Sequence, residues 1–348
     1  MSAQHPVQPK VSEQSWRVLA KAQVAFDKGD YGDAIALCEA AKQSRAKEVE
    51  WNRYVMENTL HAPEVKKSGP FISDLMPILK EREDFDALDI INYWLGKRGS
   101  AYFGNSLPKL YEFLTRLKEY PECDFLQAKI YRLEGEYGMA LGFLQNARAY
   151  AELLDVPAQK FDILYETADL AKVMGDAKEW EGSLLLIVAD DGLYKDEAAK
   201  RAMARSAGLK RKDLVDYFFM LNRHSALNSI RAYFDLGRLY KEQKRSRDAW
   251  NMTASGVVCA FTWTLEILKD RSPEYSFDGL AGFFTECGRY EDVMAWAGKN
   301  SVWKGFYEMA LSAKDNGWNS FGSSLLEIMA ASCPDEYWAS AAKNLGKR

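Results

Sequence analysis

The side chains that most often carry catalysis or bind metals are few in this chain and lie far apart. Among its 348 residues there are three histidines and five cysteines. No two histidines are spaced as neighbours on one helix, and the cysteines contain no CxxC pair, so we expect neither a histidine metal site nor a zinc ribbon. The residues concerned are His5, His61, His224, Cys38, Cys123, Cys259, Cys287 and Cys333.

Motifs that assemble an active site are also missing from the sequence. There is no GxSxG, Walker-type, HExxH or dinucleotide-binding pattern. Adjacent carboxylates such as Asp190-Asp191 and Glu291-Asp292 point to different sides of a helix or lie in a turn, which favours solvated charges. We therefore predict a protein without catalytic residues, cofactor or metal. A pair of carboxylates assembled from distant residues, as in glycosidases, stays open.

Composition indicates a folded protein of near-neutral charge. Hydrophobic residues make up 47% and the net charge is −4, which argues against a globally basic nucleic-acid binder and against an acidic disordered chain. The scattered cysteines favour a reducing compartment. The first 15 residues lack the apolar core of a signal peptide, and no apolar run is long enough to span a membrane. We expect a cytoplasmic protein without a membrane span, although an exported chain whose signal has been removed would look the same.

Apolar residues recur at the helical period along almost the whole chain. From Ser15 to Phe26 they include steps of three and four, and alternating runs of Val, Ile and Thr are nearly absent. Short breaks such as Lys28-Gly29-Asp30 are typical of turns between antiparallel helices. The sequence therefore predicts an all-α fold.

A pattern built around a turn repeats along the sequence. The clearest copies have Gly, a charged residue and Tyr, then two spacers and two apolar residues, as in Gly29-Asp30-Tyr31 before Ala34-Ile35. The glycine ends the first helix with a positive φ, and an alanine seven residues earlier lets the two helices approach closely. In one copy Lys244 takes the place of glycine. The turn positions are Gly29, Gly135, Gly175, Lys244 and Gly288, and the alanines are Ala22, Ala128, Ala168 and Ala281.

This arrangement resembles the tetratricopeptide repeat family. The set Tyr233, Leu236, Gly237, Tyr240 and Ala249 is close to that family's aromatic, Leu-Gly, Tyr and Ala signature. The resemblance implies a right-handed superhelical α-solenoid of antiparallel helix hairpins, in which stacked hairpins share a continuous core.

The domain prediction follows from this resemblance. We expect a flexible tail at residues 1–14 and one continuous solenoid at residues 15–348. The stretch from Arg82 to Trp94 is a degenerate unit. The clearest units lie near residues 16–46, 121–152, 161–189, 230–260 and 276–300.

The resemblance also implies where a ligand would bind. In a tetratricopeptide-like solenoid the first helices of the hairpins line a concave surface that commonly binds peptides. The lysine and asparagine that grip acidic chaperone tails in some family members are absent at the expected offsets. Aromatic and basic residues there suit a peptide with apolar anchors and some acidic character, unless the aromatics belong to the core between repeats. The candidate groove residues are Phe125, Lys129, Tyr165, Phe234 and Arg238.

Positive charge is concentrated in residues 195–247. This segment has 14 Lys and Arg against 6 Asp and Glu, a net charge of +8, and such a patch suits an acidic protein surface or a phosphate backbone. Arg231, Arg238 and Lys241 are spaced to share one helix face, which makes them candidate partner-binding residues. The alternative is that these cations are solvated or paired with acidic neighbours.

The function that these patterns favour is a non-catalytic scaffold or adaptor that holds a protein or peptide in its concave groove. Two alternatives stay open: a nucleic-acid-associated regulator that uses residues 195–247, and an enzyme on a helical scaffold. Self-association is a variant of the scaffold, because four tryptophans near the carboxyl terminus either form an adhesive surface or fill gaps between helices. They are Trp296, Trp303, Trp318 and Trp338.

Overall fold

The structure, a computed structural model, describes residues 6–10, 14–67, 69–208, 227–275 and 279–345. Within these ranges the regular elements are helices, and the only β-type pairing is an isolated antiparallel bridge between Phe71 and Ser106. The prediction of an all-α fold is confirmed. The chain forms two compact units, Met1–Leu170 and Ala171–Arg348.

The first unit is built around one long helix, α2. Its first half packs against α1 and α6, and its second half packs against α4 and α5. The helices are α1 (Ser15–Asp27), α2 (Tyr31–His61), α3 (Ile72–Glu81), α4 (Phe85–Tyr102), α5 (Leu107–Arg116), α6 (Pro121–Leu133), α7 (Tyr137–Ala149) and α8 (Gln159–Met174), whose last residues belong to the second unit. Single 3-10 turns lie at Val65–Lys67 and Ala151–Leu153.

Helix α2 contributes residues to two hydrophobic clusters at different positions along its length. The first cluster holds Cys38 and Ala41 of α2 with Ala22 of α1 and Leu126 of α6. The second cluster holds Val49, Val55 and Met56 of α2 together with the apolar faces of α3, α4 and α5. A third cluster joins α6, α7 and α8 around Ala128 and Leu144. The small residues predicted at helix contacts, Ala22, Ala128 and Ala168, are buried as expected.

Helix α4 contains a sharp kink at Gly99, whose φ is 57° and ψ is −165°. Few residues other than glycine adopt this conformation, so the kink depends on the missing Cβ. After the kink the chain returns to the start of α3, where the backbone N–H of Ile72 donates to the carbonyl of Asn105 and that of Leu107 donates to the carbonyl of Pro70. These two hydrogen bonds join the residues at the start of α3 to the residues that lead into α5.

Six helices in the described residues end in one type of backbone turn. A residue with positive φ is followed by a residue whose N–H donates to the carbonyl five positions earlier, which is the bond of a Schellman motif. Examples are Asp30 to Ala25 at 2.9 Å and Trp318 to Ala313 at 2.9 Å. The positive-φ residues are Gly29, Glu83, Gly135, Gly175, Lys244 and Gly317.

Gly288 departs from the prediction. Its φ lies outside the left-handed region, and a Cβ there would stand 2.9 Å from Cβ of Pro334. The glycine is therefore needed for close packing and not for the turn. Ala281, seven residues earlier, is exposed and does not serve as a helix contact. The turn at Gly317 was not predicted, because Trp318 and Asn319 stand where the pattern has a charged residue and tyrosine.

The second unit is centred on α13, which is buried along most of its length and packs against α12 and α16. Gly237 permits the close approach of α12, because a Cβ there would overlap the Thr253 hydroxyl of α13. The helices are α9 (Ala177–Val188), α10 (Gly192–Lys195), α11 (Glu197–Gly208), α12 (Ser229–Glu242), α13 (Ser246–Arg271), α14 (Gly279–Cys287), α15 (Glu291–Lys299), α16 (Val302–Asp315), α17 (Asn319–Ser332) and α18 (Glu336–Leu345).

The carboxyl-terminal tryptophans mostly contribute to packing. Trp303 is fully buried against Phe284, with ring centroids 5.3 Å apart, and Trp318 packs edge-on against Trp250 at 4.8 Å. Trp338 contacts Tyr307 and the exposed Tyr337. Across the described residues we find no helix with the length and hydropathy to cross a membrane.

Candidate functional site

The two phenylalanines predicted to anchor a partner are core residues. Phe125 is 6% exposed and belongs to the cluster of α6, α7 and α8, and Phe234 is 1% exposed in the core of the second unit. Both rings are buried in this structure, which disfavours a place in an open groove. The alternative that the sequence left open, a core position between helices, holds for both. A helix that is apolar on more than one face hides which face turns inward.

The other predicted groove residues of the first unit lie nearer the surface. Lys129 is half-buried, and its Nζ lies 5.1 Å from the ring centroid of Phe26 and 4.9 Å from that of Phe125. Tyr165 is half-buried on α8. The lysine is therefore engaged in cation–π contacts with two aromatic residues.

The three predicted cations of α12 do share a helix face, and carboxylates accompany them. Arg231 and Arg238 both pair with Asp235, at 3.4 and 3.2 Å. Arg238 also reaches Glu308 at 3.5 Å, and Lys241 reaches Asp315 at 3.3 Å. Since Glu308 and Asp315 lie on α16, these ion pairs join α12 to its neighbour.

Further cations of the basic segment are paired in the same way. Lys200 contacts Glu197 at 2.7 Å, and Arg245 contacts Glu181 at 3.1 Å. Arg247 stacks on Trp318, with 5.0 Å to the ring centroid. These contacts favour the alternative of paired cations. Lys210, Arg211, Lys212 and His224 lie outside the described residues.

A cleft in the first unit lies between α2 and α4 and has a volume of about 620 Å³. Residues 45, 48 and 52 of α2 and residues 86, 90, 93 and 97 of α4 face it, at the spacings that place side chains on one helix face. The start of α1 and the described residues 8–9 border it. The lining is Gln8, Pro9, Gln14, Ser15, Trp16, Arg45, Glu48, Trp51, Asn52, Asp86, Asp89, Ile90, Tyr93, Trp94, Lys97 and Asp155.

Arg45 is the most unusual side chain of this cleft. It is 5% exposed, and its guanidinium lies 4.2 Å from the ring centroid of Tyr120. Within the described part of the chain, its Nε and Nη2 have no hydrogen-bond partner. Burial of a charged group without hydrogen bonds costs free energy, and an acceptor placed at Nε and Nη2 would offset that cost. A ligand with anionic oxygens would supply that acceptor.

Other polar groups around Arg45 are also buried. The Tyr120 hydroxyl, Glu122 Oε2 and Asp155 Oδ1 lack hydrogen-bond partners among the described residues. Burial raises the pKa of the Tyr120 phenol, and burial likewise raises the pKa of the Glu122 carboxyl, although the latter accepts a hydrogen bond from the Asp155 backbone N–H. Clusters of buried groups with displaced pKa values mark candidate functional sites.

The charges at the opposite wall are paired. Lys97 Nζ lies 3.1 Å from Asp155 Oδ2 and 5.0 Å from the ring centroid of Tyr93. Burial lowers the pKa of Lys97, but its bonds to Tyr93 and Asp155 outweigh that effect and raise it overall. Glu48 accepts hydrogen bonds from the backbone N–H and the hydroxyl of Ser15, at 2.6 and 2.8 Å. Asp86 and Asp89 are exposed.

The sequence did not indicate this cleft. Arg45 lies in a helix rich in charged residues, where one more arginine is expected to be solvated. Its burial depends on Tyr120, which is 75 residues away in the chain. A signal that could have indicated the cleft is the group of aromatic residues in the first hundred positions: Trp16, Trp51, Tyr93 and Trp94. On α4, the pair Tyr93-Trp94 stands one helical turn before Lys97. Among the described residues no cluster of three or more His, Cys, Asp or Glu is placed to hold a metal ion.

The described residues thus form an all-α fold with an open cleft in the first unit. The chain is 27% identical over 336 residues to an uncharacterized protein of Treponema pallidum (strain Nichols), with 96% of this chain and 90% of that protein covered. No family model matches the chain. No solved structure matches it either. The similarity extends over both units, and the tetratricopeptide resemblance stays a prediction.

Proposed function

We propose that this protein is a non-catalytic adaptor that binds a peptide segment in the cleft between α2 and α4. The observation that carries the proposal is the buried Arg45 guanidinium, which lines an open cleft of about 620 Å³ and whose Nε and Nη2 find no hydrogen-bond partner among the residues that the structure describes. Trp16, Trp51 and Tyr93 supply the large, stiff aromatic surfaces that dominate peptide recognition.

The proposal includes a helical-repeat scaffold of the tetratricopeptide type in a cytoplasmic setting. The six turns with one hydrogen-bond pattern support the repeat, because each joins helices by the same short connection. The five cysteines, all of them described, are not joined in disulfides, and four of them are buried, which agrees with a reducing compartment.

The two alternatives have less support. A nucleic-acid-associated regulator would need open cations in residues 195–247, but Arg231, Arg238 and Lys241 have carboxylate partners. For an enzyme, the displaced pKa of Glu122 is the main argument. Among the described residues, however, the lining of the cleft includes Asp155 and not Glu122.

The proposal is tested with a random library of short synthetic peptides with free termini, fractionated on the immobilised full chain. We expect retained peptides to bind the double variant Trp16→Ala/Tyr93→Ala at least about tenfold more weakly than the unaltered chain, because both rings line the cleft and are half-exposed. Tyr337→Ala, which removes an exposed ring in the second unit, is the matched control and should change nothing. Retained peptides that bind all three chains equally, or a library from which none is retained, would refute the proposal.

A further inference from the structure

The cleft offers one buried cation and two exposed carboxylates that are separated along its walls. Arg45 lies on α2, and no described residue accepts a hydrogen bond from its Nε or Nη2, whereas Asp86 and Asp89 lie on α4. The other two carboxylates of the lining are already engaged, Glu48 with Ser15 and Asp155 with Lys97. The cleft therefore has an anion-accepting end and a cation-accepting wall.

The balance of charge limits which anion can enter. Lining residues with positive charge are Arg45 and Lys97, and those with negative charge are Glu48, Asp86, Asp89 and Asp155. The lining therefore has two positive groups against four negative groups. This excess of negative charge repels a phosphate dianion more strongly than a single carboxylate, which favours the carboxylate as the ligand group. A planar carboxylate also matches the fork of a guanidinium and can accept two parallel hydrogen bonds from it.

The opposite wall suits a positively charged group. Asp86 and Asp89 stand one helical turn apart on the same helix as Tyr93, and all three line the cleft. Carboxylates next to an aromatic ring stabilise an ammonium or guanidinium group by charge attraction and by cation–π contact. A ligand that carries one carboxylate and one cation would satisfy both ends at once.

We infer that the cleft binds a free α-carboxylate joined to a basic side chain, with the carboxylate on Arg45 and the cation at Asp86 and Asp89. This inference rests on the proposed function, because it names the ligand of the same cleft. Two sources have this chemistry: the carboxyl-terminal lysine or arginine of a peptide, and the free basic amino acid.

The test uses calorimetric titration of the full chain with four probes. They are the peptide Ala-Ala-Lys, the same peptide amidated at its carboxyl terminus, L-lysine, and cadaverine, which is lysine without its carboxylate. We expect amidation to weaken binding of the peptide at least about tenfold and cadaverine to bind at least about tenfold more weakly than L-lysine, because each loses the charged acceptor for Arg45. Tighter binding of Ala-Ala-Lys than of L-lysine assigns a peptide terminus, and the reverse order assigns the free amino acid.

Variants locate the two charges. Arg45→Met should weaken Ala-Ala-Lys at least about tenfold, and Arg53→Met, an exposed arginine of the same helix that does not line the cleft, should leave it unchanged. Asp86→Asn with Asp89→Asn should weaken Ala-Ala-Lys more than Ala-Ala-Ala. The amidation comparison needs no variant, so it decides the question even if Arg45→Met does not fold.

Two results would overturn the inference. In one, amidated and free Ala-Ala-Lys bind equally well; in the other, neither peptide nor L-lysine binds at all. A different result refutes the proposed function: peptides retained from the library bind the Trp16→Ala/Tyr93→Ala variant as tightly as the unaltered chain. Library peptides that need these rings and tolerate amidation would leave the adaptor standing without a carboxylate-specific site.

Discussion

The ring of Phe234 on α12 lies against the backbone of Gly305 on α16, so closely that a Cβ at position 305 would overlap it. Gly256 on α13 borders the same ring from another side, where a Cβ would stand 2.8 Å from Cε1 of Phe234. The ring is therefore enclosed by two helices that approach at glycines. This explains why Phe234 belongs to the core and not to a partner surface.

Gly305→Ala should destabilise the second unit. The added methyl group must displace the Phe234 ring or separate α12 from α16, and overpacking of this kind costs about 1–3 kcal/mol. Urea unfolding followed by tryptophan fluorescence measures the change. The control is Gly182→Ala in α9, where a Cβ meets nothing within 4 Å. That substitution should be neutral or stabilising by about 0.5–1 kcal/mol. Equal effects at both positions would contradict the packing argument.

Lys244→Gly should stabilise the protein. Lys244 has a φ of 60°, in the left-handed region, where a side chain costs roughly 1–2 kcal/mol that glycine avoids. Gly135→Ala, at the equivalent turn position with a φ of 82°, should destabilise by about the same amount. Chemical unfolding of both variants gives the two free energies. In the control, Lys241→Gly, the replaced lysine lies in the last turn of α12 and pairs with Asp315, so the substitution should destabilise. A loss of stability in Lys244→Gly would contradict the prediction that a side chain at this left-handed position is costly.

Arg238→Glu should lower the stability of the fold. The new carboxylate would stand beside Asp235 and Glu308, both mostly buried, and replace two attractions by two repulsions. Because Arg238 is about one-third exposed, we expect a moderate loss of about 1–2 kcal/mol, measured by urea unfolding at low salt and smaller in 1 M NaCl. Arg238→Gln, which only removes the charge, should lose less. A sequence-based view of Arg238 as an open groove cation instead predicts weaker partner binding with unchanged stability, and the two expectations are therefore separable.

Glu122→Gln should alter how stability depends on pH. Burial raises the pKa of Glu122 above its ordinary value of 4.5, so the folded protein holds this proton more tightly than the unfolded chain. The contribution of Glu122 to stability is then complete below that ordinary value and is lost as the pH rises through the folded pKa. The variant cannot lose a proton there, so its free energy of unfolding should gain on that of the unaltered protein as the pH rises above the ordinary value of 4.5.

The matched control for this prediction is Glu112→Gln, an exposed carboxylate of α5 in the same unit. A gain in stability with rising pH that is seen for Glu122→Gln and not for the control assigns the effect to the buried carboxyl. Urea unfolding at several pH values gives both series. A constant difference for Glu122→Gln would mean that this carboxyl is not buried as described.

Local patterns predicted local structure well. The helical period located the helices, and the turn at Gly29 could be read from its residue type, because a left-handed residue after a helix favours glycine. The turn at Lys244 was predicted only from its neighbours, Tyr240 before it and Ala249 after it. Gly288 shows the limit of this reasoning: glycine there accommodates Pro334, a contact that is 46 residues away in the chain.

Long-range arrangement could not be predicted in the same way. Which side of α6 or α12 turns inward depends on the helices that cover it, so the sequence left both a groove and a core position open for Phe125 and Phe234. Arg45 is the clearest case, since its environment is made by Tyr120 of the α5–α6 connection and by the wall of α4. The residues adjacent to Arg45 in the sequence do not indicate that the Arg45 side chain is buried.

Helix α2 has one further consequence. It extends for 31 residues, or about 46 Å, and it contributes to two hydrophobic clusters that have no residue in common. Helical hydrogen bonds form and break cooperatively. If one cluster unfolds, the half of α2 that it stabilises unfolds as well, and this destabilises the other half, which belongs to the second cluster. The first and second clusters should therefore unfold in a single step, with similar rates of amide hydrogen exchange at both ends of the helix. Arg45 lies between Ala41 and Val49, where the two clusters adjoin, so an occupant of the cleft would slow exchange in both.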